Sequence, residues 1–453
     1  MDYHAPAAWP DGPELPHGSF GSECLMAKFL VVQAARFGDL VQSKRLILTL
    51  QAGGDVHLAV DAALAGLARL LYPGVAVHAL AFHGHDGDGA LARNLPAFAA
   101  LRALAPDLVY NCNFSPLTGA LCRLFPPETV IGYRPAPVSD GGLLRSPWAR
   151  IAFQLSRRRR LSPLNLVDFW AWFAPAPIAP ERVNPEARPG GRGLGVALSG
   201  REARRSLPMP VLAEVVKTVS GVLGGPRIFL LGSAAERPAA HKLLRQLPPK
   251  LAAQAEDLAG RTDWEGLVAA VSGLDVLVTP DTGLMHLAAH LGTPALAFFL
   301  SSAWCHETGP YGLGHTVWQA AAPCAPCLES ARCPRNVACL DVFQDAGFAR
   351  LLARTLTTGA APPASAQALP PGLQCWRSGL DGLGATLRLA AGEDPDAFLR
   401  EGARAVLADW LGLTPGAVMA PRPESREQRN GLARLHEALL PDAEWMLPQG
   451  RYA

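Results

Sequence analysis

A chain of 453 residues exceeds what one ordinary hydrophobic core organises, so two or three domains are expected. With 49% hydrophobic and 18% charged residues, it has the balance of a well-buried globular protein and not of a disordered one. The 41 basic and 39 acidic residues leave a net charge of +2, too weak a field to predict a nucleic-acid partner.

The polar leader, residues 1–27, lacks the basic-then-apolar order of a signal peptide. No apolar run approaches the roughly 18 residues needed to cross a bilayer. A cytoplasmic protein is therefore expected, with any membrane contact peripheral and at the inner face. Residues 28–33, KFLVVQ, are apolar and β-branched and predict a first strand. It runs into Arg36-Phe37-Gly38-Asp39, and a helix is expected from about residue 40 to residue 50. Strand, glycine-bearing turn, helix is how a doubly wound sheet begins. The turn has no G-x-G-x-x-G, so a nicotinamide cofactor is not indicated. Asp39 stands at the carboxyl end of that strand, where such sheets place ligands. Its ordinary alternative is a helix N-cap.

The alternation continues with expected strands at 56–60, 75–81, 108–111 and 131–133, and helices at 62–71 and 91–104. The polar turn after residue 111 holds Asn113, Phe114, Ser115 and Thr118, either a ligand loop or the cap of the next helix. Residues 145–160 hold Arg145, Arg150 and a run of four, Arg157, Arg158, Arg159 and Arg160. Such a run is usually a solvated face, but it also suits an anionic acceptor, since arginine pairs with phosphate in bidentate fashion. Residues 174–193 are rich in Pro and Gly and predict a linker between a first domain, 28–173, and a second, 194–345.

In the second domain, strands are expected at 194–198, 227–231 and 295–299, with helices at 211–222, 236–247 and 264–271. The loop at 199–208 holds Ser199, Gly200, Arg201, Arg204 and Arg205, and two further turns hold Gly232 to Glu236 and Gly260-Arg261-Thr262. Residues 274–294, LDVLVTPDTGLMHLAAHLGTP, are the stretch around which the rest is organised. A buried strand at 276–278 stops at Pro280 and Asp281, turns at Thr282 and Gly283, and gives way to a helix at 284–291 with Gly292 past its end. Free backbone N–H groups and a partial positive charge then meet at one point, a ready site for a phosphate or a sugar hydroxyl. Asp281 and His286, five residues apart, can face one pocket. The ordinary alternative is an N-cap and a core histidine.

Cys324, Cys327, Cys333 and Cys339 form C-x2-C-x5-C-x5-C. Four thiols so close can hold zinc or an iron–sulfur cluster. Structural zinc, disulfides and free thiols all stay open, with a structural role favoured over a catalytic one. Cys24, Cys112, Cys122, Cys305 and Cys375 are isolated. The C-terminal extension, 346–453, is expected to be helical at 347–356, 394–411 and 425–440, around an Ala- and Pro-rich segment at 359–372.

Residues 281–294 closely resemble the D-T-G-x-x-H-x-A-A-x-L-G-x-P signature of the ADP-heptose:lipopolysaccharide heptosyltransferases, glycosyltransferase family nine. Residues 36–42 are similar to that family's R-x-G-D-L-x-Q segment, and the resemblance implies that Asp39 is the general base. The Thr-x-Pro usual after this segment is replaced by Ser43-Lys44-Arg45, which bears on local acceptor contacts and not on the aspartate. The loop at 199–208 resembles one ending in Lys-x-x-Pro, with Arg205 at the lysine position. The implied donor-binding set is Ser199, Gly200, Arg204, Arg205, Glu236, Thr262, Asp281, Thr282, Gly283 and His286, with Glu236 at the ribose and Thr262 near the base. Asn113 and Ser115 resemble the acceptor-side loop, and Arg157 and Arg158 are candidate acceptor contacts by charge.

The resemblance spans about residues 28–342 and implies two Rossmann-like domains with a cleft between them, the glycosyltransferase B architecture. It also implies an inverting, metal-independent transfer of heptose from ADP-heptose to a glycan or lipid-linked acceptor in lipopolysaccharide biosynthesis. No cofactor is expected for catalysis. Two rivals compete: a sugar-nucleotide epimerase of the same plan, and a catalytically degenerate glycan-binding homologue. Arg205 and the long extension favour degeneracy, and the presence of Asp39 argues against it.

Overall fold

The computed structural model describes residues 26–83, 87–137, 142–156, 158–198, 203–328, 331–345, 347–358 and 369–439. Two sheets organise it. The first holds β1 (Ala27–Gln33), β2 (Gly54–Asp61), β3 (Ala76–Leu80), β4 (Leu108–Asn111), β5 (Val130–Pro135) and β6 (Leu143–Arg145), in the order β3-β2-β1-β4-β5-β6. The second holds β7 (Leu194–Ala197), β8 (Ile228–Leu231), β9 (Ala255–Asp257), β10 (Val276–Pro280), β11 (Ala295–Phe299), β12 (Thr316–Ala320), β13 (Leu373–Leu380) and β14 (Ala385–Ala391), in the order β14-β13-β12-β11-β10-β7-β8-β9. Pairing is parallel except at β5/β6, β12/β13 and β13/β14. Helices cover both faces of such sheets, so the inner strands are apolar without alternation. All five residues of β11 are buried, as are residues 29–33 of β1.

In each sheet the strand order reverses beside the first strand of its domain, between β1 and β4 and between β7 and β10. That reversal opens a crevice at the carboxyl ends of the strands, where open α/β sheets bind ligands. The expected two-domain α/β plan is therefore present.

Two local expectations change. The single helix expected at 40–50 is two helices, Phe37–Gln42 and Lys44–Gln51. They meet at Ser43, whose hydroxyl donates to the Asp39 carbonyl at 2.9 Å and accepts from Gln33 Nε2 at 2.9 Å. A serine bonding back to the fourth residue before it favours such a bend. The extension carries its helices at Ala397–Trp410 and Arg426–Leu439, but it also contributes the β13–β14 hairpin, which was not expected. The hairpin adds antiparallel to the edge of the second sheet, with a register shift at Cys375/Trp376.

The hairpin and the two domains meet at one buried carboxylate. Asp168, on the helix Leu166–Ala171, is fully buried. Its Oδ1 accepts from Arg45 Nη1 at 2.6 Å and from the Tyr311 hydroxyl at 2.7 Å, and its Oδ2 accepts from the Ala385 N–H at 2.8 Å. Arg45 also donates to the carbonyls of Ile178 and Leu383. Gly384 is required here: its φ is +147°, and a Cβ on it would lie 2.0 Å from the Asp168 carboxyl carbon. Arg404 of the extension closes the cluster, donating to the Asp381 carboxylate and to the Pro163 and Gly384 carbonyls.

Removing one partner of a buried ion pair strands the other charge. Asp168→Ala is expected to lower stability by about 3–5 kcal/mol, read from chemical denaturation. A denaturation midpoint unchanged from wild type would show that the cluster does not hold the molecule together.

Candidate active site

The crevices of the two sheets face each other across one cleft of about 1210 Å³. A pocket for a single small ligand is usually about 300–1,000 Å³, so this one exceeds what one small ligand needs. Of the residues expected from sequence, Asp39, Asn113, Ser115, Arg205, Glu236, Thr262, Asp281, Thr282, Gly283 and His286 line it. Ser199, Gly200 and Arg157 lie outside the described residues. Arg158 is exposed and Arg204 lines a different cavity.

Asp39 is placed by β1 and the short helix Phe37–Gln42. Its Oδ2 accepts the Arg36 N–H at 3.1 Å, so it both caps the helix and faces the cleft. Burial raises its pKa above the usual aspartate value, and Asp281 adds to the rise. The Arg36 N–H, His286 and the Arg36 charge oppose it. His286 is buried, and desolvation holds its pKa at about 4, so it is neutral near pH 7. Its Nε2 lies 3.8 Å from Asp281 Oδ1. A neutral imidazole at that distance is a dipolar neighbour of Asp281 and not an ion-pair partner.

Asp281 is not the cap of the following helix. The helix Gly283–Leu291 begins after Thr282, and Gly292 ends it in the left-handed region at φ +72°. Asp281 is committed sideways instead. Arg205 Nη2 donates to its Oδ2 at 2.6 Å, and Thr308 Oγ1 donates to the same oxygen at 3.1 Å. Burial raises the Asp281 pKa, with Arg205 as the largest opposing influence.

Gly283 does not have a positive φ, so conformation is not what calls for glycine there. The other domain approaches closely instead. A Cβ on Gly283 would sit 2.3 Å from the Phe37 ring, and one on Gly38 would sit 3.2 Å from the His286 ring and 3.6 Å from the Gly283 Cα. The two glycines let the helix bearing Asp39 seat against the N-terminus of the helix bearing His286. Trp264 reinforces the contact, packing 5.4 Å from the Phe37 ring and donating Nε1–H to the Ala63 carbonyl.

Several residues have ordinary structural engagements as well as cleft exposure. Asn113 is buried, accepts from the Ala34 N–H at 2.6 Å and donates to Gln33 Oε1 at 2.7 Å, locking β1 to the turn after β4. Ser115 caps the helix Pro116–Cys122. Glu236 closes a capping box on Ser233 while lining the cleft. Residues not anticipated from sequence include Arg36, Phe37, Trp264 and Thr308. Arg36 and Phe37 lie inside the G-D segment and were within reach, whereas nothing near Thr308 signals its role.

Arg159 and Arg160 are neither a solvated face nor cleft residues. Arg159 chelates the Glu307 carboxylate and donates to the carbonyls of Ser302 and Cys327, and Arg160 donates to Asp396 Oδ2 at 2.7 Å. They stitch the first domain to the second and to the extension. Cys324, Cys327, Cys333 and Cys339 all line one small cavity of about 110 Å³, apart from the cleft. Cys333 Sγ accepts the Val337 N–H at 3.3 Å. Among the described residues, no three His, Cys, Asp or Glu side chains close on a point that would hold a metal ion. Among them, too, no helix is long and apolar enough to cross a membrane.

The likeness to known protein families falls in the part of the chain that forms the second sheet. The pattern of Glycosyltransferase family 9 (heptosyltransferase) matches residues 211–337, which include the Asp281–His286 turn. Lipopolysaccharide heptosyltransferase 2 of Salmonella typhimurium is 36% identical over 87 residues, 19% of this chain and 24% of that protein. Its Escherichia coli counterpart is 35% identical over 75 residues, 17% of this chain and 22% of that protein. The chain thus aligns with about a quarter of the length of these curated relatives. An E. coli heptosyltransferase solved with ADP covers 65% of this chain and 93% of its own, at 18% identity and a TM-score of 0.49. The likeness to glycosyltransferase family 9 thus lies in residues 211–337.

Proposed function

We propose that the protein is an inverting glycosyltransferase that moves a sugar, heptose by its relatives' names, from a nucleoside-diphosphate donor to a glycan or lipid-linked acceptor. ADP-heptose is the donor class that the relatives point to. The observation that carries the reading is that Asp39 of one domain and the Arg205–Asp281–Gly283 cluster of the other line the same cleft. Asp39 takes the proton of an acceptor hydroxyl. That oxygen attacks the anomeric carbon from the face opposite the diphosphate, and the bond to the diphosphate breaks. Charge grows on the leaving group, where a fixed cation and helix N-terminal N–H groups are most effective. Arg205 and the first N–H groups of the helix Gly283–Leu291 take that role in this reading, with no divalent metal. A base buried enough to have a raised pKa is better matched to proton abstraction near neutrality than an ordinary aspartate.

The four-cysteine segment is proposed as structural, because its cavity is separate from the cleft. Four thiols suit zinc, which would require them to draw together around one centre. Elemental analysis of the purified protein checks this, and about one equivalent of metal would support it.

Incubation with ADP-heptose, following ADP release with and without an acceptor glycolipid, tests the main reading. Release that needs acceptor supports transfer, and sugar-nucleotide inversion without acceptor would replace it with the epimerase. Asp39→Asn is expected to lower kcat by about 100-fold or more, the scale of a lost general base, with ADP affinity by calorimetry unchanged. The pH profile supplies the sign. The base works ionised, so kcat/KM should fall as pH drops through a raised pKa, above the usual aspartate midpoint of about 3.9. Wild-type turnover in Asp39→Asn would remove Asp39 from the mechanism.

Gly283→Val is expected to cost about 1–3 kcal/mol, the scale of an overpacked contact, by driving a side chain into Phe37. ADP binding and turnover should fall together, because both sides of the cleft shift. Combining it with Phe37→Ala should restore part of the ADP affinity. No restoration would mean that the glycine serves the bound donor alone.

A further inference from the structure

Arg204 and Arg205 are neighbours in one 3-10 turn, Ala203–Arg205, yet they face opposite ways. Arg205 enters the cleft and grips Asp281. Arg204 lines the cysteine cavity instead, where its Nη1 donates to the Ala331 carbonyl at 2.7 Å and its Nη2 to the Leu328 carbonyl at 3.2 Å. Both carbonyls belong to the segment between Cys327 and Cys333. Ser301 makes a second link. Its hydroxyl donates to the Arg204 carbonyl at 2.9 Å, and its own carbonyl accepts the Cys327 N–H at 3.3 Å. Ser301 is buried and holds φ +51°, a left-handed conformation that a serine keeps only when its surroundings fix it. The first domain reaches the same segment, through Arg159 Nη1 donating to the Cys327 carbonyl at 3.2 Å.

We propose that Arg204 is a positioning residue that ties the diphosphate-gripping turn to the four-cysteine segment, so that the packing of that segment sets the affinity for a nucleoside diphosphate. This rests on the reading of the cleft as a nucleotide-sugar site. The physical ground is the long side chain of Arg205. It makes a directed contact only if its backbone is held, and the described ties on that backbone run through Arg204 and Ser301 to the cysteine segment. A segment loosened at its thiols would free the turn and leave Arg205 to pay ordering entropy when diphosphate binds.

The experiment is calorimetric titration of the full chain with ADP. Arg204→Met, Ser301→Ala and the pair Cys324→Ser with Cys327→Ser are each compared with wild type, as is Arg204→Met combined with the cysteine pair. Arg204→Met is expected to weaken ADP binding by roughly 5- to 10-fold while the thermal midpoint stays near wild type. Arg204→Lys should recover part of the loss, since one ammonium can still reach one of the two carbonyls. The cysteine pair should weaken binding by a similar factor, and the combined variant no further than either alone, as two breaks in one connection do. If the cysteine pair does not fold, alkylation of the folded, reduced wild type with iodoacetamide takes its place. Arg204→Met with wild-type ADP affinity would overturn the proposal, and so would full additivity in the combined variant. Wild type that fails to bind ADP at all would instead sink the nucleotide-sugar reading on which the proposal stands.

Discussion

Everything in the molecule depends on one carboxylate that water never reaches. Asp168 takes a guanidinium from the first domain, a phenol from the second and a backbone N–H from the C-terminal hairpin. A buried carboxylate is costly unless its lone pairs are filled, and here they are filled by three separate parts of the chain. The three parts therefore have little freedom to shift relative to one another without exposing an unmet charge. The extension is thus a strap: its hairpin belongs to the second sheet, while Arg404 and Asp396 hold it to the first domain through Pro163 and Arg160.

That constraint is what makes the cleft specific. With the domains fixed, Phe37 and Gly38 settle on Gly283 at distances that leave no space for a Cβ on the second glycine. The contact partly buries Asp39 beside the buried His286, and desolvation raises the aspartate's pKa while lowering the histidine's. The same desolvation acts on both groups in opposite charge senses and leaves a neutral imidazole facing a carboxyl group with a raised pKa. The electrostatics of the candidate site are therefore a consequence of interdomain packing, and not of the residue types alone.

How much of this was legible in the sequence follows from the range of each interaction. The strands and turns are local, so β11 and the helix Trp264–Val271 lie where apolar runs and N-caps place them. Asp39 and Asp281 were legible for a related reason, since each follows the strand on one side of a switch point. Arg45 was not. It looked like a departure from the family's Thr-x-Pro, bearing on acceptor contacts, yet its partner lies 123 residues away and its role is to hold the domains. Gly283 was legible as part of the turn, but its contact with the other domain was not: the ring that a Cβ would meet lies 246 positions earlier in the chain. The β13–β14 hairpin was hidden because only the first half of β13 is buried and β14 is nowhere fully buried, so neither shows a clean two-residue period.

The pairing of Arg205 with Asp281 has a consequence for how a donor would enter. In the structure Arg205 spends a hydrogen bond at 2.6 Å on a buried carboxylate. A diphosphate offers the same planar guanidinium more negative charge and two oxygens for a bidentate contact. On the proposed reading, binding is an exchange: Arg205 turns from Asp281 to the diphosphate, and Asp281 loses its principal counter-charge in a desolvated place. What it retains is the hydrogen bond from Thr308, the neighbouring imidazole of His286 and the charge of Arg159. A carboxyl group left in that state holds a proton more readily, and a protonated Asp281 can donate to a sugar hydroxyl instead of repelling the phosphates beside it. On that reading, the arginine that stands where the resembled motif has lysine is held by Asp281 before a donor arrives and is released to it afterwards.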